Sequence, residues 1–68
     1  MTEIHFIVEE APEGGFIARA MGADIFTEVD DLQSLHAQVR DAVHCHFDDG
    51  QMPSLIRLHI TRKEVLAA

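Results

Sequence analysis

The sequence has 68 residues, 47% of them apolar, and its twelve acidic residues against five lysines and arginines give a formal net charge of −7. A chain of this length forms one small domain, here residues 1–68, whose thin core would gain stability from a partner subunit. The acidic balance excludes ordinary nucleic-acid binding, because the phosphate backbone attracts clusters of Lys and Arg. It favours a basic protein partner instead.

The sequence also indicates a compartment. No apolar run approaches the about 18 residues of a membrane span, and the first residues lack the basic start and apolar stretch of a signal peptide. The single cysteine, Cys45, has no partner for an internal disulfide, which fits a reducing environment. We therefore expect a cytoplasmic protein without membrane contact.

Three strands are predicted in the first half of the chain. Residues 3–10 place apolar side chains at every second position, which is typical of a strand with one buried face. Residues 11–15 contain a proline and two adjacent glycines, so the chain should reverse there as a hairpin. Residues 16–21 alternate again and should pair antiparallel with the first strand, and a shorter third strand is predicted over residues 25–29.

A helix is predicted next. Asp30 can cap its free N–H groups, and Gln33 can reach back to the cap. Asp49 and Gly50 mark its end, since glycine is the usual left-handed residue after a helix, and Pro53 prevents continuation. The apolar stripe at helical spacing comprises Leu32, Leu35, Val39, Ala42, Val43, His46 and Phe47, with His36 at its margin.

Residues 55–62 return to a period of two and predict a fourth strand, whereas residues 63–68 are compatible with a strand continuation, a helical turn or a frayed end. The resulting fold class is α+β: a two-layer β-β-β-α-β arrangement, with an antiparallel meander followed by a crossover helix and a fourth strand. The helix should cover the sheet face formed by Ile4, Phe6, Val8, Phe16, Ala18, Ile56, Leu58 and Ile60.

The opposite sheet face has no second predicted helix to cover it. A face that mixes apolar, basic and imidazole side chains is typical of a partner-binding or dimer surface. An ordinary sheet face with scattered apolar residues in water is the alternative. The residues predicted on this face are His5, Ile7, Ile17, Arg19, Met21, Leu55, Arg57 and His59.

Three segments resemble the HicB-like antitoxin family. Residues 9–18 are similar to the family's acidic hairpin and its Gly-aromatic-aliphatic-Ala strand, residues 27–35 to the stretch that enters its helix, and Asp41-Ala42-Val43 to its Glu-Ala-aliphatic pattern. The resemblance implies a partial ribonuclease H-like fold with the fourth strand beside the first, and a module that docks on a small basic ribonuclease toxin. The sequence ends about where full-length members continue into a DNA-binding segment, so operator binding is not implied.

Five histidines are the unusual feature of the composition. If the fourth strand lies beside the first, His5 and His59 approach each other near Arg57, where they could hold a metal ion, an anion or an acidic side chain. On the helix, His44 with Asp41 or Asp48 offers only two surface ligands, which indicates solvated polar residues rather than a metal site. Cys45 lacks a visible orienting base, and the acids of the hairpin and helix start serve as turn and cap residues rather than as a nuclease site.

We therefore predict a protein that is not an enzyme and needs no cofactor. The leading interpretation is an antitoxin-like protein-interaction module that forms a homodimer or a higher homo-oligomer and binds a small basic toxin-like protein. The alternative is a small histidine-based metal- or ligand-binding protein that uses His5 and His59 or the region of His44. The third interpretation is a stand-alone structural domain.

Overall fold

The computed structural model describes residues 2–61 and 64–68, and in these ranges it contains one four-stranded sheet and one α-helix. The fold class predicted from the sequence is confirmed. In chain order the elements are β1 (Glu3–Glu10), β2 (Phe16–Ala20), β3 (Phe26–Val29), α1 (Leu32–His46), a 3-10 turn (Asp49–Gln51) and β4 (Leu55–Thr61). Arg62 and Lys63 lie outside the described residues, and residues 64–68 are neither helix nor strand.

The strand order across the sheet is β3-β2-β1-β4. β2 pairs antiparallel with both β1 and β3, whereas β4 runs parallel to β1. A parallel neighbour requires a crossover connection, and α1 supplies it by carrying the chain from β3 to the far side of β1. The fourth strand therefore lies beside the first, which places residues 54 positions apart in sequence next to each other.

The core lies between α1 and one sheet face. On β1 the buried side chains occur at every second position, as the alternation predicts, and on α1 they recur every four residues. The buried apolar residues are Ile4, Phe6, Val8, Ala18, Ile25, Val29, Leu35, Val39 and Val43.

β4 is covered less than the sequence predicts. Ile60 was expected beneath the helix but is 43% exposed, and Ile56 and Leu58 are only half-buried. The reason is the position of α1, which lies closest to β3, at the edge of the sheet farthest from β4. His36 and His46, which were predicted at the apolar stripe, are both exposed.

Both helix ends differ from the prediction. Asp31, not Asp30, is the N-cap, because its extended backbone lets its Oδ1 accept a hydrogen bond from the Ser34 N–H at 2.8 Å. At the other end, Phe47 takes an extended conformation and donates its N–H to Val43 O at 3.1 Å. Gly50 lies in the 3-10 turn without a positive φ, so its assignment as a left-handed helix stop was wrong.

Loss of the cap should weaken the fold measurably. We expect Asp31→Ala to lower the free energy of unfolding by about 1 kcal/mol, since the Ser34 N–H would lose its partner. Asp30→Ala is the matched control and should change the free energy of unfolding by less than about 0.5 kcal/mol. Urea denaturation of both variants measures the difference, and equal losses would contradict the assignment of Asp31 as the cap.

The hairpin between β1 and β2 is tightly closed. Ala11 N–H donates to Gly15 O at 2.9 Å, and Gly14 N–H donates to Ala11 O at 3.1 Å. Gly14 and Gly15 have φ values of +105° and +77°, in the region that favours glycine. A Cβ atom on Gly15 would lie 2.5 Å from Val29 O, so the hairpin sits directly against the end of β3.

Candidate functional site

The sheet face opposite α1 is the candidate site, and we call it the open face. None of the elements in residues 2–61 and 64–68 covers it. The strand register puts seven of the eight predicted residues on this face. Five of them pair with one another, and Ile17 and Leu55 pair with residues of β1 that lie at even spacing from His5. Met21 continues the pattern beyond β2, since its N–H donates to His5 O at 2.8 Å. The role of these residues as a partner or dimer surface stays a prediction.

Five further residues on the open face were missed, one of which is Thr61, the partner of Glu9 at the end of β4. Glu3 and Glu9 lie at even spacing from His5 on β1. The alternation of residues along the strand therefore already predicted that they lie on the open face. Phe26 and Glu28 lie opposite Arg19 and Ile17 in the register of β2 with β3, which only the paired strands reveal. Phe26 adds an exposed aromatic ring to the face.

Apolar side chains on the open face are unusually accessible. Met21 and Phe26 are each 56% exposed and Leu55 is 54% exposed, whereas Ile7 and Ile17 between them are half-buried. Large apolar side chains gathered on one uncovered face are typical of surfaces that bind another protein. The face therefore has the apolar component of an interface.

Both arginines of the open face are paired with carboxylates, and Glu28 at its edge is in neither ion pair. Arg57 Nε donates to Glu3 Oε2 at 2.8 Å, and Arg19 Nη2 donates to Glu9 Oε1 at 2.8 Å. The hydrogen bond from Arg57, followed by that from His5, holds the pKa of Glu3 below its ordinary value, and the same contact with Glu3 raises the pKa of Arg57. The two ion pairs leave the face close to neutral although the chain as a whole is strongly acidic.

His5 and His59 meet on the open face, as the sequence predicts for adjacent first and fourth strands. His5 Nδ1 lies 2.9 Å from His59 Nε2, and the two rings are stacked with centroids 5.1 Å apart and planes 20° apart. His5 Nε2 lies 3.1 Å from Glu3 Oε1. Because a carboxylate only accepts, this bond assigns the proton to Nε2 and leaves Nδ1 of the neutral ring as the acceptor from His59.

The residues predicted on the helix do not form a site. Cys45 is a free, exposed thiol, and His44, Asp41 and Asp48 are exposed. Among the described residues, no three His, Cys, Asp or Glu side chains converge so that they could hold a metal ion. None of the helices in those ranges combines the length and the apolar character needed to cross a bilayer.

Three exposed acids lie at the end of the sheet where the hairpin meets β3. Glu28 and Asp30 line a cleft of about 380 Å³ beside Ala11 and Gly14 of the hairpin, and Glu13 belongs to the same hairpin. Glu13, Glu28 and Asp30 are all exposed. We call these three residues the acidic end.

This geometry defines a two-layer α+β domain with one uncovered sheet face and an acidic end that meets this face at Glu28. The chain is 48% identical over 50 residues to a UPF0150 protein of Archaeoglobus fulgidus, a match that covers 74% of each chain. It is 44% identical over 48 residues to a UPF0150 protein of Thermotoga maritima, covering 71% of this chain and 69% of the relative. The chain therefore belongs to the UPF0150 family.

Two other comparisons found nothing. No family model matches the chain, and no solved structure matches it. The name UPF0150 states no activity, so the resemblance to HicB-like antitoxins stays a hypothesis.

Proposed function

We propose that this UPF0150 protein is a non-enzymatic interaction module of the HicB-like antitoxin type, which self-associates through the open face and binds a small basic partner protein. The observation that carries the proposal is the exposure of Met21, Phe26 and Leu55 on a sheet face that no described element covers. Water contact with this apolar surface is unfavourable, and another protein surface would remove it.

Self-association through the open face is supported by its charge. Two copies of a chain with a net charge of −7 repel each other, but the pairs Glu3 with Arg57 and Glu9 with Arg19 keep this particular surface nearly neutral. Apolar area buried between two copies contributes about 25 cal/mol per Å² before the cost of association. A two-fold arrangement would use every exposed apolar side chain twice.

The acidic end supports a second, different contact. Glu13, Glu28 and Asp30 are exposed there, and the ion pairs of the open face do not include them. A basic protein would be attracted to this end by charge complementarity, which raises association rates and selects partners. Self-association and partner binding would therefore use largely different parts of the surface, which share only Glu28 at the edge of the open face.

A cytoplasmic location and a function without catalysis complete the proposed function. A cytoplasmic location agrees with the free thiol of Cys45. The carboxylates most reminiscent of a nuclease have structural surroundings: Asp31 caps α1, and Glu9 pairs with Arg19. A protein that acts only by binding needs no catalytic residue and no cofactor.

Partner retention tests the proposed function. The purified protein is immobilised, exposed to a lysate of its source organism at low salt, and the retained proteins are identified by mass spectrometry. We expect one small protein rich in Lys and Arg, released at high salt because screening weakens contacts between exposed charges. The double substitution Glu28→Lys with Asp30→Lys should abolish its retention.

The matched control makes the same change in charge elsewhere. Asp41→Lys with Asp48→Lys alters two exposed acids on and just after α1, away from the acidic end, and should leave retention unchanged. Equal loss in both double variants would show a response to net charge alone. That result, or the retention of no basic protein, would contradict the proposal.

A further inference from the structure

We propose that His5 and His59 form a binding site for a divalent late-transition-metal ion of the Zn²⁺ class, with His5 Nδ1 and His59 Nε2 as its ligands. This inference is independent of the proposed self-association and partner binding, because both ligands come from one chain. It would hold for a monomer that binds no other protein.

The first argument is the geometry of the two ring nitrogens. His5 Nδ1 and His59 Nε2 are 2.9 Å apart on neighbouring strands. Tetrahedral Zn²⁺ with Zn–N bonds of about 2.0–2.1 Å requires its ligand nitrogens to be roughly 3.3 Å apart. The pair therefore needs to open by only about 0.4 Å, and His59 is an exposed side chain with room to move. Both rings must also turn so that their lone pairs point at the cation, and His59 must bind as the tautomer that carries its proton on Nδ1, which frees Nε2.

The second argument is the arrangement behind His5. Metal-binding histidines usually donate their other ring N–H to a carboxylate, which fixes the tautomer and orients the ligand nitrogen. Glu3 does this for His5, since its Oε1 lies 3.1 Å from His5 Nε2. Arg57 holds the second carboxylate oxygen at 2.8 Å, so Glu3 is itself fixed and its charge compensates the guanidinium near the cation. Glu3 is thus a positioning residue, and Nδ1 carries the lone pair of His5 that would bind the metal ion in place of the hydrogen bond from His59.

The third argument concerns the choice of metal and the remaining ligands. Two imidazoles suit Zn²⁺, Cu²⁺ and Ni²⁺ rather than Mg²⁺ or Ca²⁺, which prefer oxygen ligands. Within the described residues no third ligand converges on the pair. Water completes the coordination in a single chain, and the same two histidines of a second copy complete it if open faces meet. The stoichiometry separates these cases. One ion per chain is expected if water completes the coordination, and one ion per two chains if a second copy completes it.

A Zn²⁺ titration of the intact protein tests the site. Competition with a chromophoric indicator gives the affinity, and we expect a dissociation constant in the micromolar range for the wild type. His5→Ala and His59→Ala should each weaken Zn²⁺ binding at least about tenfold. Glu3→Ala should weaken binding by about 10-fold or more, and Glu3→Gln, which keeps an oxygen acceptor for His5, should restore part of that loss.

His44→Ala is the matched control, because it removes an exposed histidine from α1 without touching the pair. NMR of the imidazole nitrogens in the wild-type protein gives a second readout that requires no variant to fold, and Zn²⁺ should shift His5 Nδ1 and His59 Nε2 selectively. Zn²⁺ binding that falls equally with His44→Ala, or that leaves these two nitrogens unshifted, would overturn the proposal. So would a wild-type affinity no higher than that of the His5→Ala and His59→Ala double variant.

Discussion

Gly15→Ala is expected to lower the free energy of unfolding by on the order of 2–4 kcal/mol, although it adds a single methyl group. Two costs combine. The φ of +77° is unfavourable for a residue with a side chain, and the new Cβ would lie 2.5 Å from Val29 O, which is backbone and cannot rotate away. The β1–β2 hairpin would have to move off the end of β3. Urea denaturation monitored by circular dichroism measures the loss.

Gly22→Ala separates the two costs. Gly22 has a similar φ of +80° but has nothing within 4 Å of the position its Cβ would take. In this variant only the unfavourable φ should lower the free energy of unfolding, by about 1–2 kcal/mol. Equal losses at Gly15 and Gly22 would show that the approach of the hairpin to Val29 is unimportant for stability.

Leu55→Glu is expected to raise the dissociation constant of the self-associated protein on the order of 100-fold or more. Leu55 is 54% exposed on the open face next to Glu3 on β1. Interface anchors contribute about 2 kcal/mol or more when truncated, and two-fold symmetry removes the contact twice. The substitution also places a new carboxylate beside Glu3, so like charges would face each other across the interface. Sedimentation equilibrium gives the dissociation constants of the wild type and of the Leu55→Glu variant.

Val65→Glu is the control for this effect. Val65 is 95% exposed, lies outside the sheet, and gives the same change in net charge. Its dissociation constant should match that of the wild type. If both variants dissociate equally, total charge rather than the open face governs association.

The strands of this fold are predictable because their signal is local. Ile4, Phe6 and Val8 alternate with polar or half-buried residues, and this alternation alone identifies β1 and its buried face. The side of each open-face residue follows from the same parity. That His5 would meet His59 depends on β4 lying beside β1, which followed from the family resemblance rather than from any local pattern.

The errors arose where tertiary structure decides between local options. Asp30 and Asp31 are chemically identical candidates for the cap, and only the backbone conformation at Asp31 selects it. Ile60 has the right parity for burial, but its exposure depends on where α1 lies across the sheet, which no period in the sequence encodes. The hydrogen bond from Arg57 to Glu3 joins residues 54 positions apart. It depends on the register in which β4 pairs with β1, which no local pattern in the sequence predicts.

The molar mass of the wild-type protein, measured by light scattering across a dilution series, tests whether the open face is an interface. We predict a mass of two chains or a higher multiple at micromolar concentration, falling towards that of one chain on dilution. The same multiple should persist at high salt, because the paired charges of the open face leave apolar burial as the main attraction. A mass of one chain at every concentration would contradict self-association through this face.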